Sequence, residues 1–259
     1  MPRICVVTGS ASGIGEATRR LLEDRGERVV GVDRHDADLE LDLATAEGRT
    51  NLVDGVRELV GRVDAVYAIA GSAEPVAATV AINYFGTLAT LEQLRPLLLG
   101  SSAPRAVLVS SMAALLPSDE QLVALLQSQD EPAALDRAAV LTKDPATTGA
   151  LIYPSTKLAL SRWVRRQAAT AQWAGCGIAL NAVAPGIIAT AMTADLIATE
   201  ASRATLLQIV PMPLNGIAEP VVVARLLAFL AGEENTHVCG QVVYIDGGSD
   251  VVLRGDAVW

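Results

Sequence analysis

No stretch of this chain is long and apolar enough to cross a membrane as a helix. Hydrophobic residues make up 51% of the 259 positions, yet even the run "VVVARLLAFLA" at 221–231 is broken by Arg225, and a span needs about 20 consecutive apolar residues. The opening "MPRICVVTG" meets a glycine turn after too few apolar residues for a signal peptide, and no cleavage-site pattern follows. The expectation is a cytoplasmic protein with no membrane partner. Cysteine is scarce: Cys5, Cys176 and Cys239 are far apart, each among apolar neighbours. That pattern argues against a disulfide frame or a metal site and suits reduced thiols in a core. Positive charge is also in short supply. With 20 basic against 29 acidic residues the net charge is -9, and the arginines are scattered along helices, so no track for nucleic-acid phosphates is expected. No Gly/Ser linker, composition shift or internal repeat divides the chain, so residues 1–259 are read as one domain.

What is present is a regular alternation. Runs rich in Val and Ile, such as "RICVVT", "ERVVGVD" and "GQVVYID", are separated by stretches of helical period such as "GIGEATRRLLEDRG". This rhythm predicts an α/β fold, a parallel sheet covered by helices on both faces. Seven strands are expected near 3–8, 28–33, 38–41, 64–69, 105–110, 177–183 and 241–246. Helices are expected near 14–25, 45–60, 79–98, 151–173 and 219–231. Two segments exceed this plan. Residues 112–150, with Leu and Ala at helical spacings, predict a helical insertion of one or two helices. Residues 189–210 predict a second helical excursion, either a substrate lid or a surface embellishment or subunit contact.

"TGSASGIG" sets Gly9, Gly13 and Gly15 between the first strand and the first helix. A turn of this kind lets backbone approach a pyrophosphate, whose charge is favoured by the free N–H groups and positive end of the following helix. Asp33 ends the second strand, where a carboxylate can accept both hydroxyls of the adenosine ribose and would repel a 2′-phosphate. Arg34 beside it argues the other way. Ser12, standing where a basic residue could have reached such a phosphate, tips the reading to NAD over NADP. Asp42, after the third strand, is either an acceptor for the adenine amino group or an ordinary acid at a helix N-terminus.

Together "TGSASGIG", "AG" at 70–71, "NYFG" at 83–86, "SS" at 110–111, "YPSTK" at 153–157, "NAVAPG" at 181–186 and "DGG" at 246–248 make the chain resemble the short-chain dehydrogenase/reductase family over essentially its whole length. The resemblance implies a single Rossmann-like, doubly wound domain, a nicotinamide cofactor, and a catalytic tetrad at Asn83, Ser111, Tyr153 and Lys157. It implies further cofactor contacts from Ile14, Leu43, Ala70, Gly71, Pro185, Gly186, Ile188 and Thr190. It also implies that Lys157 holds the nicotinamide ribose and that Asn83 anchors a proton-relaying water.

Elementary chemistry supports the mapping. A free tyrosine titrates near ~10 and is a poor base at neutral pH, so a catalytic one needs nearby positive charge. Lys157 lies one helical turn beyond Tyr153, on the same face, and Pro154 is harmless in an opening turn because its missing N–H has no intrahelical partner there. Ser111, at the end of the fifth strand, is placed to hydrogen-bond the same substrate oxygen. Taken singly, Asn83 could merely bend its helix and Ser111 merely end a strand.

The usual family motif after the fourth strand reads "AIAG" here, and few residues separate Gly71 from Asn83, so the helix expected there is shortened or missing. With the insertion, these departures look like the bacterial 3α-hydroxysteroid dehydrogenase/carbonyl reductase branch, which implies a homo-oligomer, a dimer rather than a tetramer. Met112, Pro154, Ile187, Met192, Leu196 and Ile197, with Leu115 and Leu116, are the expected pocket wall. They offer no charge for a carboxylate or phosphate, so the expected substrate is a bulky apolar secondary alcohol or its ketone. A steroid and an aromatic or alicyclic (terpene-like) alcohol both fit. The alternative of another class is a non-catalytic nucleotide sensor on the same fold.

Overall fold

The Val- and Ile-rich runs pair into a single parallel sheet: β1 (Ile4–Thr8), β2 (Arg28–Asp33), β3 (Leu39–Glu40), β4 (Ala65–Ala68), β5 (Arg105–Val109), β6 (Ala179–Pro185) and β7 (Val242–Ile245). A computed structural model describes residues 2–258. The strand order is β3-β2-β1-β4-β5-β6-β7, with every neighbouring pair parallel. The order reverses between β1 and β4, and in open α/β sheets ligands bind in the crevice beyond the strand ends at such a reversal.

The strands are apolar on both faces because both faces are covered. Alternate residues serve opposite sides. Val6, Val66 and Leu108 pack with α2 (Ala46–Val60), α4 (Thr87–Leu98) and α7 (Ile152–Gln167). Val7, Tyr67, Val107 and Val183 pack with α1 (Gly13–Asp24) and α9 (Pro220–Leu230). Between β4 and α4 lie a short helix α3 (Ala77–Val80) and a π turn, Ala81–Gly86, that contains Asn83. The insertion forms two helices, α5 (Glu120–Gln127) and α6 (Glu131–Leu141), and α8 (Glu200–Ile209) follows two short turns in the 189–210 segment. Asp119 and Asp130 cap α5 and α6 through the N–H groups of Leu122 and Ala133.

Several expectations need correction. The helix expected over 151–173 ends at Gln167. The chain then doubles back so that Trp173 packs edge-to-face on Trp163, with ring centroids 5.9 Å apart; burying a second indole outweighs helix continuation. Strand β6 runs on to Pro185, two residues past its expected end, because it pairs with β7 along its full exit. The helix before Asn83, expected to be shortened or missing, is the four-residue α3 and needs no correction. A tenth helix, α10 (Ser249–Arg254), was not expected at all. The three cysteines are free thiols, but Cys176 is exposed and Cys239 only half-buried, leaving Cys5 as the one fully buried core thiol of the three.

Candidate active site

The glycine turn is built so that side chains cannot enter it. Gly9 has φ +71°, and a Cβ there would lie 3.0 Å from the Cα and N of Ala70 on the neighbouring strand exit. A Cβ on Gly15 would overlap the carbonyl oxygen of Gly9. β1, the turn and α1 are thereby drawn against the exit of β4, leaving backbone as the floor of two cavities that share Gly9 and Ser12. Gly13, Ile14 and Gly15 line the first, with Ala70, Gly71, Pro185, Gly186, Ile188 and Thr190. Asp33, Asp42 and Leu43 line the second, with Arg34. All the expected cofactor contacts therefore gather at the sheet's reversal point. Asp33 is fixed: its carboxylate accepts the Ala11 N–H at 3.0 Å and the Arg34 N–H at 2.7 Å. Asp42 accepts the Ala44 N–H at 2.9 Å ahead of α2, so part of its carboxylate is engaged locally.

Ser111, Tyr153 and Lys157 line the first cavity together. Ser111 follows the exit of β5 by two residues and caps the short turn Met112–Leu115, accepting the Ala113 N–H at 3.1 Å. Lys157 is buried one turn along α7 from Tyr153, with its Nζ 5.5 Å from the centre of the Tyr153 ring. That ammonium donates to the Val109 carbonyl at 2.9 Å. Burial pushes the Tyr153 hydroxyl up from its ordinary value while the Ser111 hydroxyl draws it down. Burial with no carboxylate beside it lowers Lys157 from 10.5 to about 8.

This lysine has a measurable stability consequence. Its folded value lies below its unfolded one, so between pH 8 and 10.5 the unfolded chain holds the extra proton and stability contributed by this site rises with pH. Relative to Lys157→Met, the wild type should gain up to about 3 kcal/mol across that window. Urea unfolding of both proteins at pH 7.5 and 10 measures the difference, and a flat difference would rule the shifted lysine out.

Asn83 is brought near this group but not into the cavity lining. Its side chain is fully buried and committed, accepting the Ser72 N–H at 2.8 Å and donating to the Ser72 carbonyl and to Thr156 Oγ1. It stands behind Gly71, where a Cβ would lie 2.9 Å from its Oδ1 and 3.7 Å from Lys157 Nζ. The insertion is bolted to α7. The Asp119 N–H donates to Ser155 Oγ at 2.9 Å, while Asp119's carboxylate takes both Nε and a terminal nitrogen of Arg137 on α6 at 3.0 and 2.6 Å.

Of the residues expected to form a substrate wall, only Met192 lines the first cavity; Met112, Ile187, Ile197 and Leu116 do not, and Leu115 lines a separate cleft beside β7. Met112 and Ile187 form a buried cluster with Val210 and Met212, against which Leu116, Ile197 and Tyr244 pack. Met192 lines the first cavity at 50% exposure, whereas Leu196, 53% exposed, lies outside that lining. Pro154 is buried in the opening turn of α7, also away from the lining. A wall residue faces the cavity or solvent according to how the 189–210 loop curls, which helical spacing does not encode.

With this geometry in place, the relatives can be compared. Residues 3–123 match the family described as short chain dehydrogenase, and residues 135–250 match the one described as enoyl-(acyl carrier protein) reductase. The chain is 34% identical over 256 residues to a 3-alpha-hydroxysteroid dehydrogenase/carbonyl reductase of Comamonas testosteroni, covering 97% of this chain and 98% of that one. The chain belongs to the short-chain dehydrogenase/reductase family. It is an oxidoreductase acting between alcohols and carbonyls with a nicotinamide cofactor. It is also similar to the crystal structure of a 3-alpha-hydroxysteroid dehydrogenase from Pseudomonas sp. B-0831 complexed with NADH. That match has a TM-score of 0.87 and 35% identity, and covers 98% and 99% of the two chains. A cis-4-hydroxycyclohexanecarboxylate dehydrogenase of Sinomonas cyclohexanicum is 30% identical over 272 residues, 96% of this chain and 97% of that one.

Within this short-chain dehydrogenase/reductase, sequence reasoning missed the supporting groups. Val109 holds Lys157 through a backbone carbonyl, which has no signature in sequence. Ser110 donates to the Lys157 carbonyl at 3.0 Å, and a lone Ser at a strand end is too common to single out. Met212, whose Sδ accepts the Ile187 N–H, lies far along the chain from the motifs.

Proposed function

We propose that this protein is an NAD-dependent dehydrogenase/reductase that interconverts a bulky apolar secondary alcohol and its ketone, with 3α-hydroxysteroids as the first substrate class. The observation that carries the reading is the Ser111–Tyr153–Lys157 group lining one cavity with Ile69, Ile188 and Met192 as its apolar side. The likeness to two 3-alpha-hydroxysteroid dehydrogenases over nearly the whole chain supports it. The glycine floor fits a dinucleotide, since Gly9 and Gly15 lack the Cβ that would clash with Ala70 and with the Gly9 carbonyl, so the turn packs close and presents backbone where a pyrophosphate would lie. Gly9, Ser12, Gly13, Ile14 and Gly15 would hold the phosphates, Asp33, Asp42 and Leu43 the adenosine end, and Pro185, Gly186, Ile188 and Thr190 the nicotinamide end. Asp33, with its charge unpaired by any ion pair among the described residues, supports NAD over its phosphorylated form.

A nicotinamide held by Pro185, Gly186, Ile188 and Thr190 would supply the hydride chemistry between alcohol and ketone. Tyr153 handles the proton on the substrate oxygen, taking it in oxidation and donating it in reduction. Ser111 hydrogen-bonds the same oxygen and fixes its distance from the Tyr153 hydroxyl. The Lys157 ammonium, held by Val109, favours the phenolate form of Tyr153 and would bind the nicotinamide ribose. Asn83, its side chain engaged with Ser72 and Thr156, braces the wall behind Lys157 and is proposed to keep the water path to that lysine in place.

The insertion, tied to Ser155 by Asp119, acts as a fixed wall beside Tyr153, and the 189–210 segment is the movable lid. We read residues 1–259 as one unit that assembles as a homodimer. Exposed Val221, Val222 and Phe229 on α9 support assembly, and the free thiols of Cys5, Cys176 and Cys239 suit a cytoplasmic setting.

A screen of NAD⁺ reduction across 3α-, 7α- and 17β-hydroxysteroids, benzylic alcohols and cyclic alcohols tests the substrate class. The 3α-hydroxysteroids should give the highest kcat/KM, by at least about tenfold. A benzylic or cyclic alcohol preferred over every steroid would move the assignment to aromatic or alicyclic alcohols. NADH binding without turnover of any compound would leave a nucleotide sensor.

A further inference from the structure

Apart from the two cavities that share Gly9 and Ser12, an open cleft with a different chemistry lies along α7, facing β7 and α10. It measures about 500 Å³, within the range of small-molecule sites, and shares no lining residue with the cavity of Ser111 and Tyr153. Its floor is apolar, formed by Leu115, Leu158, Val242 and the ring of Tyr244. Four arginines line it: Arg162, Arg165, Arg166 and Arg254. In a chain of net charge -9, that concentration of one sign needs a reason.

The protein supplies few counter-charges of its own. Among the described residues, Arg254 pairs with Asp250 and stacks over Tyr244 at 5.3 Å, while Arg162, Arg165 and Arg166 make no ion pair. Arg165 donates to the Gly240 carbonyl, a neutral acceptor. Asp246, a further carboxylate close to Tyr244, is engaged by the N–H groups of Gly248 and Asp250. Residues 162, 165 and 166 occupy one face of α7, so their charges repel one another. A guanidinium does not relieve such repulsion by losing its proton. The negative C-terminal end of α7 accounts for Arg165 and Arg166, which lie in its last turn. It does not account for Arg162 earlier in the helix or for Arg254 on another element.

We propose that this cleft is a second ligand site, which takes an amphiphilic anion: a small apolar ring system carrying one carboxylate or sulfate. The ring system lies on Leu115, Leu158, Val242 and Tyr244, and the head group is held by Arg162 and Arg166, whose planar forks match a carboxylate. The site is independent of the alcohol assigned to the reaction centre.

The test is calorimetric titration of the NADH-saturated protein with naphthalene-2-carboxylate and with its uncharged twin, naphthalene-2-carboxamide. The carboxylate should bind one per chain and at least tenfold more tightly than the amide. In the double variant Arg162→Gln/Arg166→Gln, two exposed positions outside the reaction centre, carboxylate affinity should fall at least tenfold with turnover unchanged. Equal binding of acid and amide, undiminished binding to the double variant, or no binding at 10 mM carboxylate would each overturn the proposal. So would inhibition competitive with the alcohol, which would put the anion at the reaction centre.

Discussion

Tyr153→Phe should abolish nearly all turnover while leaving the protein folded and able to bind NADH. The substitution removes one oxygen and keeps the ring, so the packing of the opening turn of α7 is preserved. A positioned acid/base contributes about 10²–10⁴ in rate, equivalent to roughly 3–5 kcal/mol of barrier. The loss should appear in kcat for both oxidation and reduction. NADH affinity, measured by fluorescence titration, should change less than about threefold, because a phenol gives little uniform binding. Ser111 and Lys157 cannot replace the missing group: Ser111 is a hydroxyl with no base of its own, and Lys157 is turned onto the Val109 carbonyl. A variant that retained normal turnover would remove Tyr153 from the acid/base role.

Asp33→Asn should erase most of the preference between the two nicotinamide dinucleotides. In the wild type, NADH is expected to bind about a hundredfold more tightly than NADPH, since the carboxylate accepts ribose hydroxyls and repels a 2′-phosphate. Asparagine keeps an oxygen for the Ala11 N–H, which the carboxylate accepts at 3.0 Å, so the turn should survive. It removes the charge and leaves Arg34, which lines the same cavity, to attract the phosphate. The ratio of dissociation constants should fall below about ten. Equal affinities for NADH and NADPH in the wild type would instead assign both cofactors to the protein.

How readily each feature could be read depended on how local its cause is. The glycine turn was legible because Gly9, Gly13 and Gly15 lie within a few residues and answer to a steric demand. The Tyr153–Lys157 pair was legible because helical spacing alone puts both on one face. Helix α7 was overrun to residue 173 because nothing in "RRQAATAQWAG" marks a stop; the stop comes from Trp173 folding onto Trp163. Cys176 looked like a core residue from its apolar neighbours, but the turn that holds it is on the surface. Asn83 was expected at the site and stands behind Gly71, yet its bonds to Ser72 and Thr156 depend on the π turn, whose widened register no residue pattern announced.

The alternation of strands and helices, the glycine floor, the acid that ends β2 and the order of the chemical groups all follow from the amino-acid order. Each of these is dictated by period, steric allowance or charge within a short window. The tertiary structure alone decided which carbonyl holds Lys157, that Asp119 joins Ser155 on α7 to Arg137 on α6, and that arginines from α7 and α10 share one cleft. Those relations join residues from 18 to 92 positions apart, Arg137 with Asp119 and Arg254 with Arg162, and only the packing of elements sets such distances.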